Sequence, residues 1–81
     1  MYEYTLDEVS QHNQKHDCWI VIKDIVYDIT EFLHEHPGGS SILVTVGGQD
    51  ATEFFEELHR PEILDEIAKD YMIGNLSHAN L

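Results

Sequence analysis

Basic residues are scarce in this sequence. Four lysines and arginines face sixteen aspartates and glutamates, which gives a net charge of −12 at pH 7. Nucleic acids and anionic membranes require a basic face that neutralises phosphates, so the charge balance argues against both as partners. The acids favour a basic docking partner, and a surface that serves only solubility is the alternative interpretation.

Cysteine and long apolar runs are also nearly absent. Cys18 stands alone, so no internal disulfide can form and a reducing compartment is the simpler expectation. The opening residues lack the basic start and apolar run of a signal peptide, and no stretch approaches the roughly 18 apolar residues of a membrane span. We therefore expect a soluble, cytoplasmic monomer without a transmembrane segment.

The 81 residues are enough for one small domain, spanning residues 1–81. A chain of this size buries only about 60% of its unfolded surface, so an added core component would matter to its stability. The segment 5–8, Thr-Leu-Asp-Glu, fits a helix capping box. Residues 18–22 and 25–29 are rich in β-branched and aromatic side chains and predict a hairpin, whereas 12–17 read as a polar connection.

Short helices are predicted over the rest of the chain. Thr30 is the expected cap of a helix that ends near His36, because Pro37 disfavours α geometry in the residue before it. Further helical segments follow the paired glycines and Pro61, and residues 71–73 predict a closing strand that stops at Gly74. The order of elements indicates an α+β fold with a small mixed sheet.

Six histidines raise the question of a metal site. His12, His16 and His78 lie in polar surroundings, where a surface residue without a role is the simplest interpretation. His34 and His36 are two positions apart at a helix end and should face different ways. A structural zinc site would require four ligands, commonly including cysteine, and the single cysteine lies in an apolar strand.

His36 and His59 have a different context, since they bracket a run of apolar residues and paired glycines. A haem group needs a large flat apolar pocket and imidazole nitrogens above and below its ring. The alternative is that the apolar residues form an ordinary core and that the histidines end helices. The pattern by itself leaves both interpretations open.

The motif His-Pro-Gly-Gly at 36–39, followed by GGQDATEFFEELH, resembles the cytochrome b5 family. The likeness extends over YTLDEVSQHN, DCWIVIKDIVYDITEFLHEHPGG and DYMIGNL, nearly the whole chain. It implies a cytochrome b5-like fold in which short helices form a cleft for one haem b, with His36 and His59 as the axial metal ligands. The sequence has no CxxCH motif, so the haem would be held non-covalently. The segment FEELHRPEIL resembles the haem domains of nitrate reductases and flavocytochrome lactate dehydrogenases more closely than it resembles the microsomal cytochrome b5 pattern.

The same resemblance assigns the residues that would line the haem pocket. Gly38 and Gly39 would turn the chain beside the ring, and Arg60 would pair with a propionate or remain a solvated surface residue. Trp19 is expected in a second core away from the haem. The expected apolar walls are Ile22, Ile29, Phe32, Ile42, Leu43, Val46, Phe54, Phe55, Leu58, Ile67 and Tyr71.

Two axial imidazoles leave no open position on the iron, so the implied function is one-electron transfer and not enzymatic catalysis. The expected partners are a flavoprotein reductase or other basic redox protein and an acceptor protein. The alternatives are a haem domain detached from a larger oxidoreductase, of nitrate reductase, desaturase or flavocytochrome type, and a haem-free acidic interaction module. Eight acids between residues 50 and 70 would steer basic partners to the haem edge, unless they merely keep helix faces polar.

Overall fold

The computed structural model describes residues 2–36, 41–58 and 61–78, with Leu58 and Pro61 described by their backbone only. The described part of the chain contains the following elements: β1 (Glu3–Thr5), α1 (Leu6–Ser10), β2 (Asn13–Gln14), β3 (Asp17–Ile22), β4 (Ile25–Asp28), α2 (Thr30–Glu35), a 3₁₀ helix (Ser41–Val46), α3 (Thr52–Leu58), α4 (Pro61–Asp70) and β5 (Met72–Ser77). This is the α+β arrangement that the order of sequence patterns predicts.

The strands form one mixed sheet in the order β1-β5-β4-β3-β2. The first strand pairs with the last in parallel, and the other neighbours are antiparallel. The hairpin predicted at residues 18–29 is confirmed, with Lys23 and Asp24 as its two turn residues, at φ 49° and 67°. Positive φ at both central positions is the geometry that twists with the strands, although this residue pair is uncommon there.

Alternation along β3 divides the apolar side chains between two cores on opposite faces of the sheet. One, the strand-side core, is built on Val9, Val21 and Val26, with Tyr4, Trp19, Ile73 and Leu76 packed against it. The other, the helix-side core, has these buried members: Cys18, Ile20, Ile22, Tyr27, Ile29, Phe32, Leu33, Leu43, Ala51, Phe55 and Ile67. The expectation that Trp19 belongs to a second core is confirmed.

The first turn of α1 confirms the capping box. The Thr5 hydroxyl accepts a hydrogen bond from the Glu8 amide at 3.1 Å, and the Thr5 amide donates to the Glu8 carboxylate at 2.9 Å. The cap predicted at Thr30 is wrong, because Thr30 is already the first residue of α2 and no side chain caps that helix. Its hydroxyl instead accepts from the Cys18 amide at 3.0 Å and donates to Asp28 at 2.7 Å, joining α2 to the hairpin.

Two strand boundaries also differ from the prediction. The polar segment 12–17 contains β2, whose two residues pair with the start of β3. The last strand does not stop at Gly74 but continues to Ser77, because β1 pairs alongside it. A Cβ on Gly74 would meet the Tyr2 carbonyl oxygen and lie 2.9 Å from the Tyr4 ring. Glycine there permits the close approach of β1 and does not end the strand.

Candidate functional site

His36 ends α2 at one edge of the helix-side core. Its amide donates to the Phe32 carbonyl at 3.0 Å, which closes the last turn of the helix. The backbone then leaves helical geometry at φ −129° and ψ 55°, so α2 ends where Pro37 predicted that it would. The imidazole lies over the Phe32 ring, with centroids 4.7 Å apart, and the side chain is 47% exposed. An imidazole therefore stands half in solvent beside an apolar wall.

Aromatic and acidic side chains connect this end of α2 to α4 and β5. The Phe32 ring meets Tyr71 edge to face at 5.8 Å, and the Tyr71 hydroxyl donates to Glu35 at 3.3 Å. The His36 Nε2 lies 3.3 Å from a carboxylate oxygen of Glu66, whose side chain is 45% exposed. Partial burial raises the pKa of Tyr71, and the Glu35 carboxylate adds to the shift. The phenol is therefore neutral near pH 7 and able to donate.

Most of the predicted pocket residues meet in the helix-side core. Strand and helix side chains that are far apart in sequence converge there, and six of them are buried: Ile22, Ile29, Phe32, Leu43, Phe55 and Ile67. Val46, Phe54 and Tyr71 are partly buried and pack against the same cluster. Ile42 differs, since it is 52% exposed on the 3₁₀ helix.

Several predicted site residues lie outside the described part of the chain. They are Gly38, Gly39, His59 and Arg60, together with the side chain of Leu58. The roles assigned to them therefore stay predictions. The segments on either side are described, and α3 and α4 flank positions 59–60 in sequence.

The core also contains residues that the sequence analysis did not assign to the site. Leu33, Tyr27 and Ala51 are buried among the pocket residues. Leu33 directly follows the assigned Phe32, and Tyr27 lies two positions before the assigned Ile29 in the predicted strand, so their closeness in sequence was the available signal. Glu35 and Glu66 carried no such signal, because their proximity to Tyr71 and His36 arises only when α2, α4 and β5 pack together.

The eight acids between residues 50 and 70 are all exposed. They belong to α3, α4 and the segment before α3, so they lie on the elements that cover the helix-side core. Asp50 also accepts from the Thr52 amide at 3.0 Å and from its hydroxyl at 2.6 Å, which ends the preceding turn and starts α3. These elements therefore combine an apolar inner side with an acidic outer side.

The side chains in the described part of the chain have the chemical character that a haem site requires. Haem requires an extended apolar wall and an imidazole nitrogen that can reach its iron. Both are present, as the helix-side core and the half-exposed ring of His36. Within the described ranges, no set of three or more histidine, cysteine, aspartate or glutamate side chains is placed to hold a bare metal ion. None of the helices described has the length and apolar character that crossing a membrane would need.

Comparison with known proteins agrees with this arrangement. A family model described as "Cytochrome b5-like Heme/Steroid binding domain" matches residues 5–77. The chain is 49% identical to a cytochrome b5 of Rhizopus stolonifer over 95% of its length, and 48% identical to cytochrome b5 isoform B of Arabidopsis thaliana over 90%. It spans 59% and 54% of those two relatives, a little over half of each.

Solved structures show the same similarity. Cytochrome b558 of Ectothiorhodospira vacuolata, described as a prokaryotic homologue of cytochrome b5, has a TM-score of 0.82 at 31% identity, covering 94% of this chain and 99% of its own. The cytochrome b5 of Ostreococcus tauri virus 2 has a TM-score of 0.76 at 43% identity, covering 90% and 94%. With its fold, its helix-side core and a match across residues 5–77, the chain belongs to the cytochrome b5-like haem-binding domain family.

Proposed function

We propose that this chain is a soluble electron carrier that holds one non-covalent haem b between His36 and His59. The observation that carries the proposal is the position of His36, half-exposed at the end of α2 and against the Phe32 wall of the helix-side core. A haem held by these two imidazoles would supply reversible one-electron exchange at its iron. Such a carrier transfers electrons between proteins and does not itself transform a substrate.

The helix-side core would serve this function by excluding water from the ring. Its walls come from β3, β4, α2, the 3₁₀ helix, α3 and α4, so the proposed haem cleft would depend on elements that are distant in sequence. Each of these helices is too short to be stable alone in water. An apolar group bound among them would contribute packing that the helices cannot provide for one another.

Contacts around α2 would hold the first ligand in place. The Phe32 ring limits the rotation of the His36 imidazole on one side, and the Tyr71–Glu35 hydrogen bond ties the end of the same helix to the residue that precedes β5. Glu66 lies within 3.3 Å of the His36 Nε2, and both side chains are about half exposed. The carboxylate can therefore turn to solvent when that nitrogen is used as a ligand.

The acidic outer side of α3 and α4 suits a basic redox partner. Seven of the eight exposed carboxylates lie on these two helices, which flank the second proposed ligand in sequence, and the net charge of the chain is −12. Complementary charge accelerates encounter and orients the partner before contact. We propose a reductase as electron donor and a second protein as acceptor, both docking on this face in a reducing compartment.

An absorption spectrum tests the haem proposal directly. The protein as purified, or after addition of haemin, should show one extractable haem b per chain, with a low-spin spectrum in both oxidation states. Dithionite should sharpen the Soret band and resolve the α and β bands. Haem that resists acid–acetone extraction, or a high-spin ferric spectrum near pH 7, would contradict non-covalent ligation by two histidines.

A further inference from the structure

His16 and His34 are neighbours in space although they are distant in sequence. His16 lies in the turn before β3, and His34 lies in the last turn of α2. Their ring centroids are 6.0 Å apart and their planes differ by 28°. Both side chains are exposed. Neither histidine has a role in the proposed haem site.

The spacing of the two rings is too large for direct stacking. His12 and Trp19 show what stacking looks like in this molecule, with centroids 3.6 Å apart and planes within 7°. By contrast, an ion bound by two imidazole nitrogens at about 2 Å holds the ring centroids roughly 5 to 6.5 Å apart, depending on the angle at the metal. The 6.0 Å separation of His16 and His34 falls in this range.

The surroundings of His16 favour a cation. His16 lines a surface groove of about 430 Å³ together with Asp17, Asp28, Glu31 and Asp70, and no lysine or arginine lines it. Glu31 also lies on α2, one turn before His34. Carboxylates close to an ion but outside its direct ligands raise its local concentration and accept hydrogen bonds from its bound water.

We propose that His16 and His34 together bind a divalent transition-metal ion, Cu²⁺ or Zn²⁺, at the surface. Imidazole suits both ions, and Cu²⁺ is the tighter binder of the two in most nitrogen sites. Since no third protein ligand is placed within reach in the described part of the chain, water completes the coordination. The ion links the turn before β3 to α2, the helix that ends at His36.

The test is a Cu²⁺ titration of the haem-loaded protein, followed by electron paramagnetic resonance. We expect one Cu²⁺ per chain with hyperfine structure from two nitrogens. His16→Gln and His34→Gln should each weaken binding at least about tenfold and remove the two-nitrogen pattern. His78→Gln is the matched control, because His78 is also an exposed histidine beside a carboxylate, with Nε2 3.1 Å from Asp24. It should leave the binding unchanged.

Other outcomes would overturn the site. Binding that survives both substitutions, a single-nitrogen signal, or a loss caused by only one of the two variants would each exclude a bridge between these rings. The Soret band of each variant is recorded alongside and should not change. A variant that keeps its haem and loses Cu²⁺ binding supports the site. A wild-type chain that binds no haem contradicts the electron-carrier proposal, and the same Cu²⁺ titration of that haem-free chain then tests the metal site by itself.

Discussion

The two cores on either side of the sheet are built in different ways. The strand-side core joins neighbouring strands and α1, and it is closed by the ladder between β3 and β4 and by the capping box of α1. The helix-side core is larger, but short helices supply much of its cover, and the segments 37–40 and 59–60 between those helices lie outside the described residues. One core completes itself with local hydrogen bonds, whereas the other is the place where we propose that a haem binds. On that proposal, a single sheet separates the strand-side core from the haem site.

Replacing the proposed ligand should have the largest effect on the haem spectrum, and a substitution in the strand-side core should have none. His36→Ala should turn the low-spin haem spectrum into a high-spin or water-ligated one, because one axial position opens. Carbon monoxide or cyanide should then bind readily. Trp19→Phe, in the strand-side core, is the control and should leave the spectrum as it is. An unchanged spectrum in the His36 variant would mean that this histidine is not a ligand, and His34 would then be tested.

Truncating one buried side chain in each core should separate stability from haem binding. Ile67→Ala should destabilise the fold by about 2–5 kcal/mol, because the site cannot collapse fully around the lost atoms. Val26→Ala removes fewer atoms and should cost roughly 1.5–3 kcal/mol. Denaturant unfolding of the haem-loaded protein measures both values.

Only the helix-side substitution should also weaken haem affinity, measured by transfer of haem to an excess of a second haem-binding protein. Equal rates of haem loss in the Ile67 and Val26 variants would contradict the division of roles between the two cores.

Removing the haem should loosen one core and spare the other. A ligand that binds only the folded state stabilises it by about 4 kcal/mol when free ligand is a thousandfold above its dissociation constant. In the haem-free protein, amides in 41–58 and 61–70 should exchange at least about tenfold faster than those of Val21 and Val26. Mass-resolved hydrogen exchange gives both rates in one experiment. Uniform protection across the chain would show that the helices do not depend on the haem.

Alkaline pH should weaken the helix-side core through Cys18. Burial raises the pKa of this thiol from 9.0 to about 11, and the Asp28 and Asp17 carboxylates add to the effect. Below pH 9 the thiol is neutral in the folded and in the unfolded protein. Between pH 9 and 11 it ionises in the unfolded chain but keeps its proton in the folded protein. Stability should therefore be complete below pH 9 and fall as the pH rises, by at most about 1.4 kcal/mol per unit from this group.

The measurement is urea unfolding at pH 8 and pH 10.5. Cys18→Ala should show a smaller loss of stability across that interval than the wild-type protein does, although its stability at pH 8 is lower. If both proteins lose the same amount, the alkaline sensitivity arises elsewhere.

The smallest expected effect concerns the outer surface. Glu56→Gln with Glu57→Gln should slow electron exchange with a basic redox protein by a factor on the order of a few, because steering acts on the association rate. The salt dependence should flatten, since charge screening grows as the Debye length falls from ~10 Å at 0.1 M to ~3 Å at 1 M. Stopped-flow rates across a salt series measure both effects.

Glu3→Gln with Asp7→Asn is the matched control for this pair. It removes two exposed carboxylates from β1 and α1, which pack in the strand-side core through Tyr4 and Val9, whereas α3 packs in the helix-side core through Phe55. Both double variants should keep the haem spectrum of the wild-type protein. If their rates also agree, the acids near residue 59 serve solubility and docking takes place elsewhere.

Local patterns in the sequence predicted most of the fold. The capping box at Thr5, the hairpin around Lys23 and Asp24, and the helix that starts at Pro61 each depend on residues a few positions apart. The resemblance assigned Trp19 to a second core, and the physical basis is that a strand directs successive side chains to opposite faces of a sheet. The candidate site was predicted through its motif, and nine of its assigned apolar residues lie in or against the helix-side core.

Contacts between distant segments decided the rest. β2 is a strand only because β3 lies beside it, and β5 continues through Gly74 only because β1 pairs with it. The Thr30 hydroxyl serves the Cys18 amide, twelve positions away, and not its own helix. The proximity of His16 to His34, and of Glu66 to His36, likewise follows from the packing of α2 against its neighbours. Hydrogen bonding and side-chain packing across the fold set these pairs, and no local pattern of residue types records which distant segments will meet.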